Sequence, residues 1–85
     1  MKIKEYKQLY ERKLHFVNDD GSSFSYDENH SCKNADIQNE IIGAYCDMND
    51  CDWDKMLKAM QKRYKEQQKI RTVGEFVDFL DSIEY

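Results

Sequence analysis

The residues of this chain best suited to chemistry are three cysteines, two histidines and a dense set of aspartates. Cys32, Cys46 and Cys51 together with His30 offer the thiolates and imidazole that zinc takes tetrahedrally. Their spacing argues against such a site. Structural zinc sites use two close Cys or Cys/His pairs, and the gap between Cys46 and Cys51 lies at the loose end of that pattern. Cys46 also adjoins an apolar helical stripe, where a free cysteine packs as a small apolar residue. Asp47, Asp50, Asp52 and Asp54 carry the charge of a calcium loop but lack its glycine and its distal bidentate glutamate. No metal and no cofactor is expected. Nucleophilic catalysis needs a Cys or Ser beside a positioned base. His15 falls on the polar face of a hairpin and His30 in a polar loop, and neither stands in a recognisable motif. The three glycines are isolated, so there is no phosphate-cradling loop. The expectation is a protein that is not an enzyme and has no catalytic residues.

Charge is sorted into blocks. From Asn18 to Asp54 there are ten acidic residues and one basic residue, Lys33, a block charge of −9. From Lys55 to Arg71 there are seven basic residues against Glu66 alone, a block charge of +6. The net charge of −4 hides this division. Fields of both signs on a small protein can steer a charged partner or pair the protein with itself.

Eighty-five residues make one domain, spanning 1–85. A chain of this length buries roughly 60–65% of the surface its unfolded form exposes, so the core is thin. No run of about 18 apolar residues occurs, and no signal-peptide apolar stretch follows the N-terminal charges. An odd cysteine count suits a reducing compartment better than a disulfide framework. These features point to the cytoplasm. An apolar content of 40% with no proline reads as folded rather than disordered.

The elements that must position these residues follow from periodicity. Ile3, Tyr6, Tyr10 and Lys13 recur at helical spacing, which predicts a short helix over residues 3–13. Leu14-His15-Phe16-Val17 and Ser23-Phe24-Ser25-Tyr26 flank Asn18-Asp19-Asp20-Gly21, a sequence suited to a type I turn closed by a left-handed glycine. Pairing Asn18 with Ser22, Phe16 with Phe24 and Leu14 with Tyr26 puts all four large apolar side chains on one face. A one-residue slip destroys that sorting. Residues 27–35 read as a polar loop. Ile37, Ile41, Ala44, Tyr45 and Met48 predict a helix capped by Asn34 or Asp36, with Ile42 off the stripe and exposed. Asp52 can cap the next helix. Its apolar stripe is Trp53, Met56, Leu57, Met60 and Tyr64, and its opposite stripe is Lys55, Lys58, Lys62, Lys65 and Lys69. Thr72 and Glu75 form a capping box for a last helix that buries Val73, Phe76, Val77, Leu80 and Ile83, with Phe79 beside the stripe. The expected fold class is α+β: a short N-terminal helix, one β-hairpin, then three helices packed on it.

Two binding surfaces are available. The carboxylates of Asp19, Asp20, Asp27, Glu28, Asp47, Asp50 and Asp52 would form an acidic patch if they converge, able to dock on a basic groove, including one that normally holds nucleic acid. Tyrosines and Trp53 supply interface anchors or complete the core. The alternative surface is the lysine stripe of residues 55–69, whose ammonium groups can contact phosphates, aided by Arg63 and Tyr64. The acidic isoelectric point of about 5.1 weighs against that alternative. A homodimer is a third arrangement, with opposed charged faces pairing head to tail or with Ile42 or Phe79 seeding the contact.

Val17-Asn18-Asp19-Asp20-Gly21, with Phe24 and Tyr26-Asp27-Glu28, behind a short N-terminal helix and ahead of an acidic helical half, resembles the layout of small phage-encoded anti-CRISPR inhibitors. Some of those are acidic α+β proteins that occupy the DNA-binding surface of a nuclease. The resemblance covers Val17 to Asp54 and rests on layout and composition. It implies a phage or mobile-element inhibitor whose contact residues are Asp19, Asp20, Asp27, Glu28, Asp47, Asp50 and Asp52, with a nucleic-acid-handling protein as partner. The lysine-rich helix departs from the strongly acidic members.

Overall fold

Four side chains sorted to one face decide the first half of the fold. In the computed structural model, which describes residues 13–84, Lys13–Val17 (β1) pairs antiparallel with Ser23–Asp27 (β2). Phe16 faces Phe24 and Leu14 faces Tyr26, as the apolar sorting requires. The Phe16 and Phe24 rings stack with centroids 5.0 Å apart. Gly21 N–H donates to the Asn18 carbonyl at 3.0 Å, and Asn18 N–H donates to the Ser22 carbonyl at 2.9 Å. Gly21 has φ +89°, in the left-handed region that a side chain disfavours. This is the expected type I turn with a glycine bulge. The helix expected over residues 3–13 lies outside the described residues except at Lys13, which opens β1.

An isolated hairpin is marginal in water. Here β1 lies against Ala35–Asn49 (α1), and Leu14 and Phe16 are fully buried. Asn34 caps α1, its side chain accepting from Asp36 N–H at 2.7 Å. Helices Trp53–Gln61 (α2), Tyr64–Gln67 (α3) and Val73–Asp81 (α4) complete the architecture, so the class is α+β. The core joins Leu14 and Phe16 to Ile41, Tyr45, Met56, Met60, Phe76 and Leu80. Tyr45 Oη donates to Asp81 Oδ1 at 2.7 Å and ties α1 to α4. Among the described residues no helix is long and apolar enough to cross a membrane.

The structure differs from the periodicity reading in three places. Ile42, expected outside, is 2% exposed, because α1 is covered by β1 on one side and α2 on another and its buried face is correspondingly wide. Phe79 is also buried, so neither residue offers the dimer contact suggested for it. Residues 55–69 do not form one helix. The chain breaks at Arg63, which has φ −119° and ψ 31°. Its guanidinium lies 5.0 Å over the Phe79 ring, bonds Ser82 Oγ at 2.8 Å and pairs with Glu66. These tertiary contacts override local helix propensity. Trp53 and Tyr64, assigned to the apolar stripe, are 37% and 60% exposed.

The loop after the hairpin is strapped to the start of α4. Cys32 N–H bonds the Arg71 carbonyl, Val73 N–H the His30 carbonyl and Gly74 N–H the Glu28 carbonyl, each at 2.9 Å. This strap buries Cys32 completely. Thr72 Oγ1 accepts from Glu75 N–H at 3.2 Å, which makes the expected cap of α4.

No atom lies within 4 Å of a Cβ built on Gly21, so the cost of Gly21→Ala is purely conformational. It is expected to destabilise the protein by about 1–2 kcal/mol, with Gly21→Asn costing less. Urea unfolding followed by circular dichroism measures both.

Candidate functional site

The hairpin turn and the C-terminal end of α1 bring one group of carboxylates together. Packing of β1 on α1 carries the turn to the last turn of the helix, where Val17 N–H points at Met48 Sδ at 3.4 Å. Two residues further along the chain, Asp19 N–H donates to Asp47 Oδ2 at 3.0 Å. The Asp19 carboxyl is consequently pushed above its ordinary value of 3.8, first by the charge of Asp47, then by desolvation, by the hydrogen bond with Asp47, and by the charges of Asp50 and Asp20. Among the described residues, every contribution to the Asp19 shift acts upward.

Asp50 sits just past α1 with φ 53°, the left-handed conformation that usually falls to glycine or asparagine. Its N–H and that of Cys51 both donate to the Cys46 carbonyl. Asp47 and Asp50 thus lie at the negative end of the helix dipole, where cations are favoured, and the last turn of α1 has no basic residue. Asp20 is held differently. Its Oδ1 accepts from Ser22 Oγ at 2.6 Å and Ser22 N–H at 2.9 Å, and these bonds lower its pKa below 3.8.

The remaining acids named in the sequence are placed elsewhere or occupied. Asp27 and Glu28 lie at the far end of the hairpin, about 15 Å from the turn at a rise of ~3.3 Å per residue. Asp27 Oδ1 accepts from Asn29 N–H at 2.8 Å. Asp52 caps α2, accepting from Asp54 N–H at 2.8 Å and Lys55 N–H at 3.2 Å. The seven acids therefore divide into a cluster at the turn (Asp19, Asp20, Asp47, Asp50), a neighbouring helix cap (Asp52) and a separate pair (Asp27, Glu28).

The lysines are exposed but divided by the break at Arg63. Lys55 and Lys58 belong to α2, Lys62 ends it, Lys65 lies in α3 and Lys69 follows α3. Lys62 and Lys65 flank the exposed ring of Tyr64 in a shallow concavity formed by residues 61–66. Among the described residues no three His, Cys, Asp or Glu side chains could share a metal ion. His30 Nδ1 lies 2.8 Å from the Ser31 carbonyl, and its ring packs 4.9 Å from that of Tyr26.

Two features of the site were not anticipated from residue pattern. Trp53 rests on α1 at Gly43, where a Cβ would lie 3.0 Å from Cζ3 of the indole. The glycine in a helix interior was the available signal. Cys46 and Cys51 are brought together at the end of α1, where Cys51 N–H donates to the Cys46 carbonyl at 3.0 Å.

A raised carboxyl pKa in the folded state means the native protein binds its proton more tightly than the unfolded chain, so folding gains stability as pH falls through the raised value. At neutral pH the Asp19 charge therefore works against the fold. Asp19→Asn is expected to raise Tm by about 1–3 °C at pH 7 and low ionic strength. The gain should shrink as pH is lowered toward 3.8, where Asp19 takes up its proton, and also at 1 M salt, where the Debye length is about 3 Å. Differential scanning calorimetry across pH and salt checks all three.

In comparisons with known proteins the chain matches no family model, no curated protein and no solved structure.

Proposed function

We propose that this protein is a non-enzymatic, macromolecule-binding inhibitor that acts in the cytoplasm by docking its turn-and-helix acidic cluster on a basic groove of a nucleic-acid-handling protein. The anti-CRISPR-like layout of Val17–Asp54 suggests a phage or mobile element as its source. The observation that carries the reading is the placement of Asp19, Asp47 and Asp50. The charges of Asp47 and Asp50 act against ionised Asp19, and Asp47 and Asp50 lie at the negative end of α1, where a helix favours cations. Folding alone favours a cation at such a helix end, so acids held there are better accounted for by a partner that supplies the positive charge.

Binding would then begin with long-range attraction between the exposed cluster and the partner's basic groove, and docking would remove the repulsion around Asp19. Asp20, held ionised by its Ser22 bonds, adds charge at the tip. Asp52 contributes charge while capping α2. Asp27 and Glu28 would engage only a groove long enough to follow the hairpin.

A second reading rests on Tyr64. An aromatic ring 60% exposed between Lys62 and Lys65 is the arrangement that stacks a base while cations hold the flanking phosphates. It makes the protein a single-strand nucleic-acid binder.

Charge reversal separates the two. Replacing Asp19, Asp47 and Asp50 together by Lys is expected to weaken capture of the native partner at least 100-fold, while Lys58, Lys62 and Lys65 replaced by Glu leave it within about threefold. Capture by the wild type should fall with salt and be competed by duplex DNA that fills the same groove. Biolayer interferometry against the captured partner gives these ratios. Loss of binding only in the lysine variant, with direct retention of single-stranded oligonucleotide by the wild type, would establish the second reading instead.

A further inference from the structure

The joint between α1 and α2 holds two thiols that neither reading of the function uses. Cys46 is buried in the last part of α1, and Cys51 is half-buried just before α2. Both are free thiols. Their proximity follows from how α1 ends. With Asp50 in the left-handed conformation, the chain reverses so that Cys51 N–H donates to the Cys46 carbonyl at 3.0 Å. This is the six-residue bond of a Schellman ending, in which the residue after the left-handed position characteristically packs its side chain on the residue whose carbonyl it bonds. Here those two residues are cysteines, set side by side by the backbone bond between them. Cys32 takes no part, since it is buried under the strap that joins the loop after β2 to the start of α4.

We propose that Cys46 and Cys51 form a reversible intramolecular disulfide when the protein meets a hydroperoxide, which makes the α1–α2 joint a redox modification site. Cys51 is the thiol a peroxide can reach. Its sulfur takes one oxygen from hydrogen peroxide, giving the sulfenic acid and releasing water. Burial, Cys51 and the charges of Asp47 and Asp52 push the Cys46 thiol up to about 12, so Cys46 is not the first to react. The Cys46 sulfur then attacks the sulfenic sulfur. The S–S bond forms, the S–O bond breaks, and the thiol proton leaves with hydroxide as a second water. Overall the two thiols lose two hydrogens and two electrons, and the peroxide is reduced to two waters. A dithiol reductant reverses the step by exchange. The bond closes a ring that includes Asp47 and Asp50 and fixes the turn between Cys46 and Cys51.

The test uses the full chain, fully reduced, then exposed to a small molar excess of hydrogen peroxide, denatured and alkylated with iodoacetamide. Intact mass and peptide mapping should show Cys32 alone alkylated and a Cys46–Cys51 cross-link, with dithiothreitol restoring three alkylated thiols. The far-ultraviolet circular dichroism should be unchanged by oxidation. In Cys46→Ser the oxidised Cys51 should persist long enough to be trapped by dimedone, and in Cys51→Ser no intramolecular link should form. The mapping of the wild-type chain stands even if a variant folds poorly. Three alkylated thiols after peroxide, a link that includes Cys32, a link between two chains, or loss of helix on oxidation would each overturn the proposal. Because partner capture is not measured, the outcome is independent of the docking reading.

Discussion

Packing of the hairpin's apolar face on α1 is the constraint from which the rest of the structure follows. Leu14 and Phe16 are fully buried in the core, and their burial fixes both the register of β1 and its position along the helix. Once that position is set, the turn has one place to go, the C-terminal end of α1. The meeting of Asp19 with Asp47 is thus enforced by apolar contacts several residues away. Hydrophobic burial at about 25 cal/mol per Å² readily outweighs the repulsion of a few solvent-screened carboxylates. The acidic cluster is a cost that the core can sustain.

The end of α1 concentrates three roles in six residues. Asp47 receives the turn's amide, Asp50 supplies the left-handed reversal, and Cys46 with Cys51 brackets that reversal. Asp52 starts α2 immediately afterward. Backbone bonds and the Asp52 cap define this short connection, so under the proposed function a partner would meet a hydrogen-bonded joint rather than a long loop. A connection of that kind lowers the ordering cost of association. The exposed indole of Trp53, seated on Gly43, lies one residue beyond Asp52 and gives this part of the surface a large apolar element beside the charges.

Much of the scaffold was legible in the residues. Register came from Leu14, Phe16, Phe24 and Tyr26 with Gly21, because only one pairing sorts them. The caps at Asn34, Asp52 and Thr72 were legible because a side-chain oxygen before an apolar periodic run has a local partner. What escaped was set by tertiary contact. Ile42 lies off a single-face stripe and is buried because α1 has two covered sides. The break at Arg63 depends on Phe79 and Ser82, sixteen or more residues away. For the site, the acidic block was visible but its partition was not. Periodicity gives the face of an element and not the distance between elements, so it could not tell that Asp19 meets Asp47 while Asp27 and Glu28 remain at the opposite end of the hairpin.

The central claim is that core packing brings Asp19 against the carboxylates of Asp47 and Asp50. Carbon-detected NMR titration of the aspartate side chains tests it residue by residue in the folded protein. The account predicts that Asp19 titrates above 3.8 and above Asp20, and that Asp47→Asn brings it back toward the ordinary value. An Asp19 that titrates at or below 3.8, or one indifferent to Asp47→Asn, would contradict it.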